Sequence, residues 1–365
     1  MPARGPRMRR GKLPTIQDVA LRAGVSTATV SRALSSPELV SAKTRTNVVA
    51  AVRATGYAIN QAARSLRSSA AHTILVVFPN VGNPFYSVVL EGLLSETAAR
   101  GFGTLIADGL ADHPTKWLSD YYLSSRADGM ILFDTSLDVA PFYGPGGQLR
   151  FPVVIASDEV LDPRITTVRI DNRAAALAAC NHLIELGHRR IGHVRAPTRT
   201  PTITSDRLLG YRDALAAAGL DYREDWVFPG DFSVEGGERA ARGFLALADR
   251  PTAMFISNDE MALGFIRTCA EAGVRCPEDV SIVGFDDISV ARWFSPSLTT
   301  IRQPRTELGR LAARTLLDLV EERSLTREPL QRLLPFELIV RASAVPFHEP
   351  ARAVRGRARL HGAPI

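Results

Sequence analysis

Two kinds of hydrophobic pattern alternate along most of this sequence. From residue 72 to about residue 340, short apolar runs alternate with longer stretches in which apolar residues recur at helical spacing. The apolar runs predict strands at Ile74–Phe78, Thr104–Ala107, Met130–Phe133, Val153–Ile155, Thr167–Ile170, Ile191–Arg195, Ala253–Ile256 and Ser281–Phe285. The amphipathic stretches predict helices at Phe85–Arg100, Thr115–Arg126, Arg173–Leu186, Ser205–Ala218, Glu235–Ala248 and Glu260–Ala272.

This alternation predicts an α/β region built from parallel sheets. Apolar strands that alternate with helices are typical of parallel sheets that are covered on both faces. The repeated strand–helix units are too many for one sheet, so we expect two similar lobes within residues 72–340. Such folds bind small ligands in a cleft at the carboxyl ends of the strands.

The preceding segment, residues 13–58, has a different pattern of short helical stretches. Thr15 can cap a first helix, and Asp18 in its first turn complements the positive helix end. Gly24 permits the positive φ of a tight helix end, and Ser26 can cap a second helix that runs to Leu34. Two short helices joined by a glycine-containing turn predict a helix-turn-helix. A third helix is expected from Ser41 or Thr44 to Thr55.

The second of these helices has a composition suited to DNA. It would expose the short side chains of Thr27, Ala28 and Ser31 together with Arg32, and these fit a major groove. Arg32 can bond in a bidentate manner to a guanine edge, which is worth about 1–3 kcal/mol of discrimination. The hydroxyls of Thr29 and Ser31 suit phosphate contacts. The alternative is a small helical bundle without a DNA role.

The charge distribution favours DNA binding. Residues 1–70 carry 12 Lys and Arg against 2 acidic residues, a net charge of +10. The remaining 295 residues carry 32 basic and 36 acidic side chains, a net charge of −4. A basic head on a mildly acidic body predicts a polyanionic partner for the head alone. Residues 1–12 also fit a disordered basic arm, and residues 341–365 a disordered basic tail.

Other classes of protein find little support in the sequence. No apolar run is long enough to span a membrane, and no apolar stretch follows the basic first residues as in a signal peptide, so we expect a cytoplasmic protein without membrane contact. The three cysteines are too few and too badly spaced for a disulfide framework or a zinc site. His182, His188 and His193 lack the spacing of a metal site. No nucleotide-binding or hydrolase motif is present, so we expect no enzyme, no metal and no cofactor.

The N-terminal motifs resemble one family closely. The run TIQDVALRAGVSTATVSRAL, followed by VSAKTRTNVVAAVRATGY and NQAARSL, resembles the lactose/galactose repressor family of transcriptional regulators. The resemblance implies that residues 59–71 contain a hinge helix, in which Leu66 wedges into the DNA minor groove. A core leucine is the alternative for Leu66, but its neighbours are polar. The resulting candidate DNA contacts are Thr15, Ser26, Thr27, Ala28, Thr29, Ser31, Arg32, Asn60, Ala63, Arg64 and Leu66.

The resemblance continues through residues 72–340. The runs FPNVGNPFYSVVLEGL, GHRRIGHV, DRLLGYRDAL, SNDEMALG, SIVGFDD and SPSLTTIRQP are similar to the family's periplasmic-binding-protein-like sensor domain. It implies an effector site whose candidate residues are Asn83, Phe85, Tyr86, Ser157, Asp158, Arg207, Phe232, Asn258 and Asp286. Taken singly, Phe232 fits a core position, Arg207 a surface ion pair and Asp286 a helix cap.

One departure concerns the effector. After the run FPVVIA the family often has Asp, whereas Ser157 stands here and Asp158 follows. A similar pattern occurs in the cytidine-responsive branch of the family. An aromatic ring surrounded by Arg, Asp and Asn suits a neutral polyol ring, so both a sugar and a nucleoside remain candidate effectors.

The resemblance implies a mechanism as well. We expect a homodimeric repressor that binds a pseudo-palindromic operator on double-stranded DNA, because no C-terminal leucine heptad indicates a tetramer. Effector binding between the lobes would change operator affinity, either releasing the DNA or promoting its binding. The alternatives are a solute-binding protein, which the basic helix-turn-helix disfavours, and a sugar- or nucleoside-processing enzyme, for which no nucleophile or acid/base pair is evident.

Overall fold

The computed structural model describes residues 14–57, 70–109, 118, 121, 124, 126–133, 140–157, 162, 164–195, 201–322 and 330–348. The chain divides into two compact units, Met1–Ala71 and His72–Ile365. Among the residues described, none of the helices combines the length and apolar composition that crossing a membrane requires. The predicted arm, the hinge helix and most of the predicted helix Thr115–Arg126 lie outside the described residues.

The N-terminal unit contains three helices, α1 (Ile16–Ala23), α2 (Thr27–Ser35) and α3 (Ala42–Thr55). The Asp18 carboxylate accepts hydrogen bonds from the backbone N–H of Thr15 at 2.7 Å and from its hydroxyl at 2.8 Å, which fixes the start of α1. Gly24 ends this helix with a φ of +66°. A small core joins the three helices through Val19, Ala20, Val30, Ala33, Val48 and Ala51. The predicted helix-turn-helix is therefore present.

The second unit has two lobes, each built on a mainly parallel sheet. In the described residues, the sheet of lobe 1 contains β1 (Thr73–Phe78), β2 (Gly103–Asp108), β3 (Gly129–Leu132), β4 (Val153–Ala156), β5 (Thr166–Ile170) and β11 (Gln331–Leu334). Its strand order is β11-β5-β4-β3-β1-β2. Helices α4 (Pro84–Ala99) and α9 (Arg305–Glu322) pack together and share one buried core with this sheet.

Lobe 2 repeats this plan with the next strands of the chain. Its described strands are β6 (Ile191–Arg195), β7 (Val227–Pro229), β8 (Ala253–Ile256), β9 (Ser281–Asp286), β10 (Thr299–Arg302) and β12 (Glu337–Ile339). The order is β12-β10-β9-β8-β6-β7, and only β12 runs antiparallel to its neighbour in this sheet. Its helices are α5 (Asn172–Glu185), α6 (Pro201–Ala217), α7 (Val234–Ala246) and α8 (Asp259–Glu271). The predicted two-lobed α/β architecture is confirmed.

The chain passes between the two lobes at three places. It leaves lobe 1 after β5 and enters lobe 2 through α5 and β6. It returns after β10, at residues 302–305, and enters α9, which packs on lobe 1. After β11 it crosses once more, at residues 334–337, into β12 of lobe 2. These crossings join the two lobes through the backbone.

Helix pairs within the lobes approach closely because they meet at glycines. A methyl group at Gly264 in α8 would overlap the carbonyl oxygen of Val234 at the start of α7, and one at Gly309 in α9 would overlap that of Val89 in α4. Glycine at these positions lets the helix backbones come into contact.

The structure adds elements that the hydrophobic pattern did not predict. These are β7, β10, β11, β12 and the 18-residue helix α9. The predicted end of the sensor region at residue 340, with a disordered tail from 341, is wrong for residues 341–348. Ser343 is fully buried, and its hydroxyl donates a hydrogen bond to the Ile282 carbonyl at 2.7 Å. The backbone N–H of Phe347 bonds to the Leu186 carbonyl, so this segment packs on lobe 2.

Candidate functional site

The second helix of the helix-turn-helix carries five of the eleven predicted DNA contacts. Thr27, Ala28 and Arg32 are exposed, whereas Thr29 and Ser31 are half-buried. Ser26, also exposed, caps α2, because its hydroxyl accepts a hydrogen bond from the backbone N–H of Thr29 at 3.1 Å. Thr15 is half-buried at the start of α1. The remaining candidates, Asn60, Ala63, Arg64 and Leu66, lie outside the described residues.

The described part of the N-terminal unit carries its basic charge at the surface. Its five basic side chains are all exposed, as are its two acidic ones: Arg22, Arg32, Lys43, Arg45, Arg53, Asp18 and Glu38. Solvent-exposed cations on a small helical unit can neutralise phosphates and release counterions, which makes binding dependent on salt. Arg32 differs from the others in that it lies on the helix that also exposes Thr27 and Ala28.

Within the second unit, a cleft collects the predicted effector residues. It has a volume of about 370 Å³, counted with its open mouth. Eight of the nine candidate residues line it, and the ninth, Asp158, lies outside the described residues. The eight come from both lobes and include Asn83, Phe85, Tyr86, Ser157, Arg207, Phe232, Asn258 and Asp286.

Arg207 is buried in one wall of the cleft and held in a fixed orientation. Its Nε donates to Asn172 Oδ1 at 3.0 Å, and its Nη1 donates to the Ser257 carbonyl. The guanidinium lies over the ring of Phe285, 3.6 Å from the ring centroid, and is 5.9 Å from that of Phe232. A planar donor fork fixed in this way can recognise ligand oxygens without losing much rotamer freedom.

Two asparagines of the cleft also cap helices. Asn83 Oδ1 accepts from the Phe85 backbone N–H at 2.8 Å, at the start of α4. Asn258 Oδ1 accepts from the Met261 backbone N–H at 3.1 Å, and its Nδ2 donates to the Phe232 carbonyl at 3.1 Å. The bond to Phe232 holds this residue in a backbone conformation with a φ of +66°. The asparagines therefore shape the cleft as well as face it.

Acidic groups cluster on the lobe 2 side of the cleft. Burial raises the pKa of Asp286 to about 6, against the lowering effects of Arg207 and of the hydrogen bond from Gln303 Nε2 at 2.8 Å. Burial and the charge of Asp286 raise the pKa of Glu260 to about 7. They also raise that of the fully buried Asp259, although Thr300 and the Ile288 N–H donate to its carboxylate. Perturbed carboxylates of this kind are typical of functional sites.

The cleft also concentrates unusual backbone conformations. Ser157, Phe232 and Asp286 have φ values of +66°, +66° and +116°, in the region that side chains other than glycine rarely adopt. Ser157 directly follows β4, and Asp286 ends β9. Such conformations cost about 1–3 kcal/mol each and cluster where a ligand must be met in a set geometry.

Sequence reasoning missed three residues of this site. Ile203 and Gln303 line the cleft, and Asn172 holds Arg207 from behind. Gln303 stands in the motif SPSLTTIRQP, directly before Pro304, but its role depends on a contact with Asp286. No local pattern distinguishes such a residue, because its partner lies elsewhere in the chain.

Comparison with known proteins identifies the family. A model of bacterial regulatory proteins of the lacI family matches residues 15–60, and a model of periplasmic binding protein-like domains matches residues 180–344. The HTH-type transcriptional repressor CytR of Escherichia coli (strain K12) is 39% identical over 332 residues, which cover 90% of this chain and 96% of CytR. The chain belongs to the lacI family.

Other lacI family members show the same extent of similarity. The HTH-type transcriptional regulator CelR of Thermobifida fusca is 35% identical over 343 residues, which cover 92% of this chain and all of CelR. A CelR–cellobiose complex has a TM-score of 0.69 at 32% identity and covers 91% of this chain and all of that one. The Lac repressor dimer bound to operator and the anti-inducer ONPF has a TM-score of 0.80 at 27% identity, with coverage of 92% and 100%.

Family membership settles the class of protein. This lacI family member is a DNA-binding transcriptional repressor with a small-molecule effector, and it is not an enzyme. In the described part of the chain, no group of three or more His, Cys, Asp or Glu side chains is arranged to hold a metal ion. His193 is fully buried between the rings of Tyr211 and Phe255, and burial lowers its pKa to about 3. Its role is therefore structural.

Proposed function

We propose that this repressor acts as a homodimer on a pseudo-palindromic operator and that a sugar or a nucleoside bound in the cleft controls its operator affinity. The observation that carries the proposal is the convergence on one cleft between the lobes of eight residues that the family resemblance implies as effector contacts. The relatives support its two parts. The CelR complex contains cellobiose, an Enterococcus faecium relative contains ribose, and the Lac repressor dimer is bound to operator.

In the proposed complex, one α2 helix enters the major groove of each half-site. Thr27, Ala28 and Arg32 read base edges, and Thr15, Ser26, Thr29 and Ser31 contact phosphates. The exposure of Thr27, Ala28 and Arg32 supports this division, since base readout requires side chains that reach outward. Following the family resemblance, Asn60, Ala63, Arg64 and Leu66 form a hinge helix on the minor groove, with Leu66 as the wedge.

The effector contacts follow from the chemistry of the cleft. Arg207 donates to ligand oxygens, Asp286 accepts from hydroxyl groups, and the Phe232 ring lies against an apolar ring face. Asn83, Phe85, Tyr86, Ser157, Asp158 and Asn258 complete the site. A cleft that offers the buried carboxylate of Asp286 and the fixed guanidinium of Arg207 suits a neutral ring that carries hydroxyl groups, whether a sugar or a nucleoside.

A thermal-shift screen tests the effector assignment. Cytidine, ribose and cellobiose are added separately to the full chain, since a cleft ligand raises Tm by mass action. Phe232→Ala should abolish the shift. Phe294→Ala is the matched control, because Phe294 packs half-buried against the same core cluster as Phe232 but does not line the cleft. A ligand shift that survives Phe232→Ala contradicts the assignment of the cleft.

DNA binding is tested with a sequence selected by the wild-type chain from random duplexes. Arg32→Ala should weaken binding to the selected duplex far more than binding to random DNA. Arg53→Ala removes the same charge from another exposed position of the unit and serves as the control. Equal losses for Arg32→Ala on both DNAs contradict base reading, because a phosphate contact acts uniformly across sequences.

A further inference from the structure

Two adjacent carboxylates at the end of β9 serve different parts of the second unit. Asp286 lines the cleft and accepts from Gln303. Asp287 is not part of the cleft lining, yet only 11% of its side chain is exposed. Its carboxylate accepts from Arg302 Nε at 2.7 Å and from Arg341 Nη2 at 2.6 Å. The consecutive residues Asp286 and Asp287 therefore connect the cleft to Arg302 and Arg341.

These arginines belong to the places where the chain crosses between lobes. Arg302 is the last residue of β10 in lobe 2, and Arg305 is the first residue of α9, which packs on lobe 1. Arg305 Nη2 donates to the Asp287 carbonyl at 2.7 Å. Gln303, between these two arginines, bonds to Asp286. The two aspartates therefore accept hydrogen bonds from three of the four residues of the crossing 302–305.

A second crossing is tied to the same carboxylate. Arg302 lies opposite Glu337 in the antiparallel pair β10–β12 and contacts it at 3.3 Å, where the chain arrives from β11 of lobe 1. Arg341, which follows β12, donates to Asp287 and also to the Leu298 carbonyl at 2.7 Å. The bonds from Arg302 and Arg341 keep the pKa of Asp287 below its usual range, although burial acts to raise it.

We propose that Asp287 is a positioning residue that couples occupancy of the cleft to the relative position of the two lobes. The inference rests on the proposed function of the cleft. A ligand that bonds to Asp286 displaces the Asp286–Asp287 peptide, and the short bonds of Asp287 carry that displacement to residues 302, 305 and 341. Lobes that are packed as rigid bodies turn such small shifts into a change of interlobe angle. Lobe 1 begins directly after the N-terminal unit in sequence.

The experiment separates this role from a purely structural ion pair. Asp287→Asn removes the charge that two arginines share while it keeps a carbonyl acceptor. Asp249→Asn is the matched control, because Asp249 also accepts from two arginines, Arg190 at 2.9 Å and Arg223 at 2.6 Å, but none of these three residues lies at a crossing between the lobes. Arg302→Lys provides a second variant that keeps the charge in case Asp287→Asn folds poorly.

The first readout needs no ligand. Spin labels are placed at Glu91→Cys in α4 of lobe 1 and at Arg267→Cys in α8 of lobe 2, both of which are exposed. The native cysteines in these lobes are buried or half-buried, and burial raises their pKa, which slows their labelling. We expect pulsed electron paramagnetic resonance to show a broader interlobe distance distribution for Asp287→Asn and Arg302→Lys than for wild type and Asp249→Asn. Equal distributions in all four proteins overturn the proposal.

The second readout is the change in DNA affinity that ligand binding causes. Cytidine, ribose and cellobiose are the probes, and the DNA is the duplex selected by the wild-type chain. Coupling of about 5–150-fold in DNA affinity is typical of allosteric proteins. We expect the probe to change the DNA affinity of Asp287→Asn by less than about 2-fold although the probe still binds. Asp249→Asn should keep the wild-type change in DNA affinity.

The outcomes distinguish the two proposals. Undiminished coupling in Asp287→Asn, with only a lower urea midpoint, makes Asp287 a structural ion pair and overturns the inference. A wild-type chain that selects no DNA overturns the proposed function, while the distance distributions still decide on Asp287. If none of the three probes affects the wild-type chain, the distance distributions alone decide.

Discussion

Replacing Asp286 by Asn should stabilise the protein while it removes the ligand response. The carboxylate is buried, and burial raises its pKa from 3.8 to about 6 even though Arg207 and Gln303 favour the charged form. Since a tenfold change in acid dissociation corresponds to about 1.4 kcal/mol, the folded protein at pH 7.5 holds this charge at a cost of about 3 kcal/mol. The amide introduced by Asp286→Asn never ionises and can still accept the hydrogen bond from Gln303.

The sign of the pH dependence follows from the raised pKa. A carboxyl group with a higher pKa in the folded state contributes stability below the unfolded value, and this contribution is lost as the pH rises through about 6. The variant should therefore match wild type near pH 4, gain stability between pH 4 and 6, and be more stable by about 3 kcal/mol at pH 7.5. Titrating groups remote from Asp286 cancel in the difference between the two proteins at each pH. Glu260 and Asp259 add to the gain, because the charge of Asp286 raises their pKa values in wild type.

Urea unfolding of the full chain measures this difference. Trp226, which is buried in lobe 2, provides the fluorescence signal. Asp213→Asn is the control, because the bond from Arg173 Nε at 2.6 Å lowers the pKa of Asp213 and its loss should destabilise the protein at neutral pH. A lower free energy of unfolding for Asp286→Asn than for wild type at pH 7.5, or an equal gain in stability at pH 4 and pH 7.5, contradicts the cost assigned to the buried charge of Asp286. A stabilising variant that no longer responds to ligand would mark a residue kept for function.

Three further changes test other parts of the structure. Ser26→Ala removes the cap of α2 and should destabilise the N-terminal unit by about 1 kcal/mol, measured as faster amide exchange in α2 of the full chain. Gly264→Ala places a methyl group against the carbonyl of Val234 and should cost about 1–3 kcal/mol in urea unfolding; an unchanged midpoint would contradict the close packing of α7 and α8. The pKa of His193 is lowered from 6.5 to about 3, so its stabilising contribution is lost as the pH falls below 6.5. When the pH is lowered from 7 to 4.5, the free energy of unfolding of His193→Phe should therefore fall by about 3 kcal/mol less than that of wild type. Equal losses in the two proteins would show that His193 does not cause the loss of stability in acid.

Local signals in the sequence were sufficient for the helix-turn-helix. Gly24 and Ser26 act on their own neighbours, through a positive φ and a capped N–H, and the structure has both features where the sequence predicts them. The same holds for the buried strands of the two sheets, because an uninterrupted apolar run is itself the cause of burial on both faces. Ile191–Arg195 and Ala253–Ile256 match the predicted bounds.

Elements that depend on distant partners were harder to predict. β11 and β12 are edge strands with exposed or half-buried residues. The apolar-rich stretch LLPFELIV that overlaps them is interrupted by Pro335, so their pairing with β5 and β10 is what defines them. The helix α9 is different, since Leu308, Ala312 and Leu316 are buried at helical spacing and the pattern was available to sequence analysis. Gln303 and Asn172 gain their roles only from contacts with Asp286 and Arg207.

The energetics of the cleft indicate what kind of ligand it can use. Allosteric coupling of about 1–3 kcal/mol needs a ligand that interacts differently with two states of the protein. The ionised Asp286 represents about 3 kcal/mol of unfavourable burial, which is of the same size, and hydroxyl donors can relieve it while an anionic ligand group would add repulsion. Asp286 is adjacent to Asp287, which accepts hydrogen bonds from Arg302 and from Arg305 at the start of α9. Relief of the buried charge of Asp286 therefore occurs next to the crossing 302–305. Under the proposed function, a neutral, hydroxyl-bearing ring is therefore the ligand that we expect to bind here and also to shift the lobes.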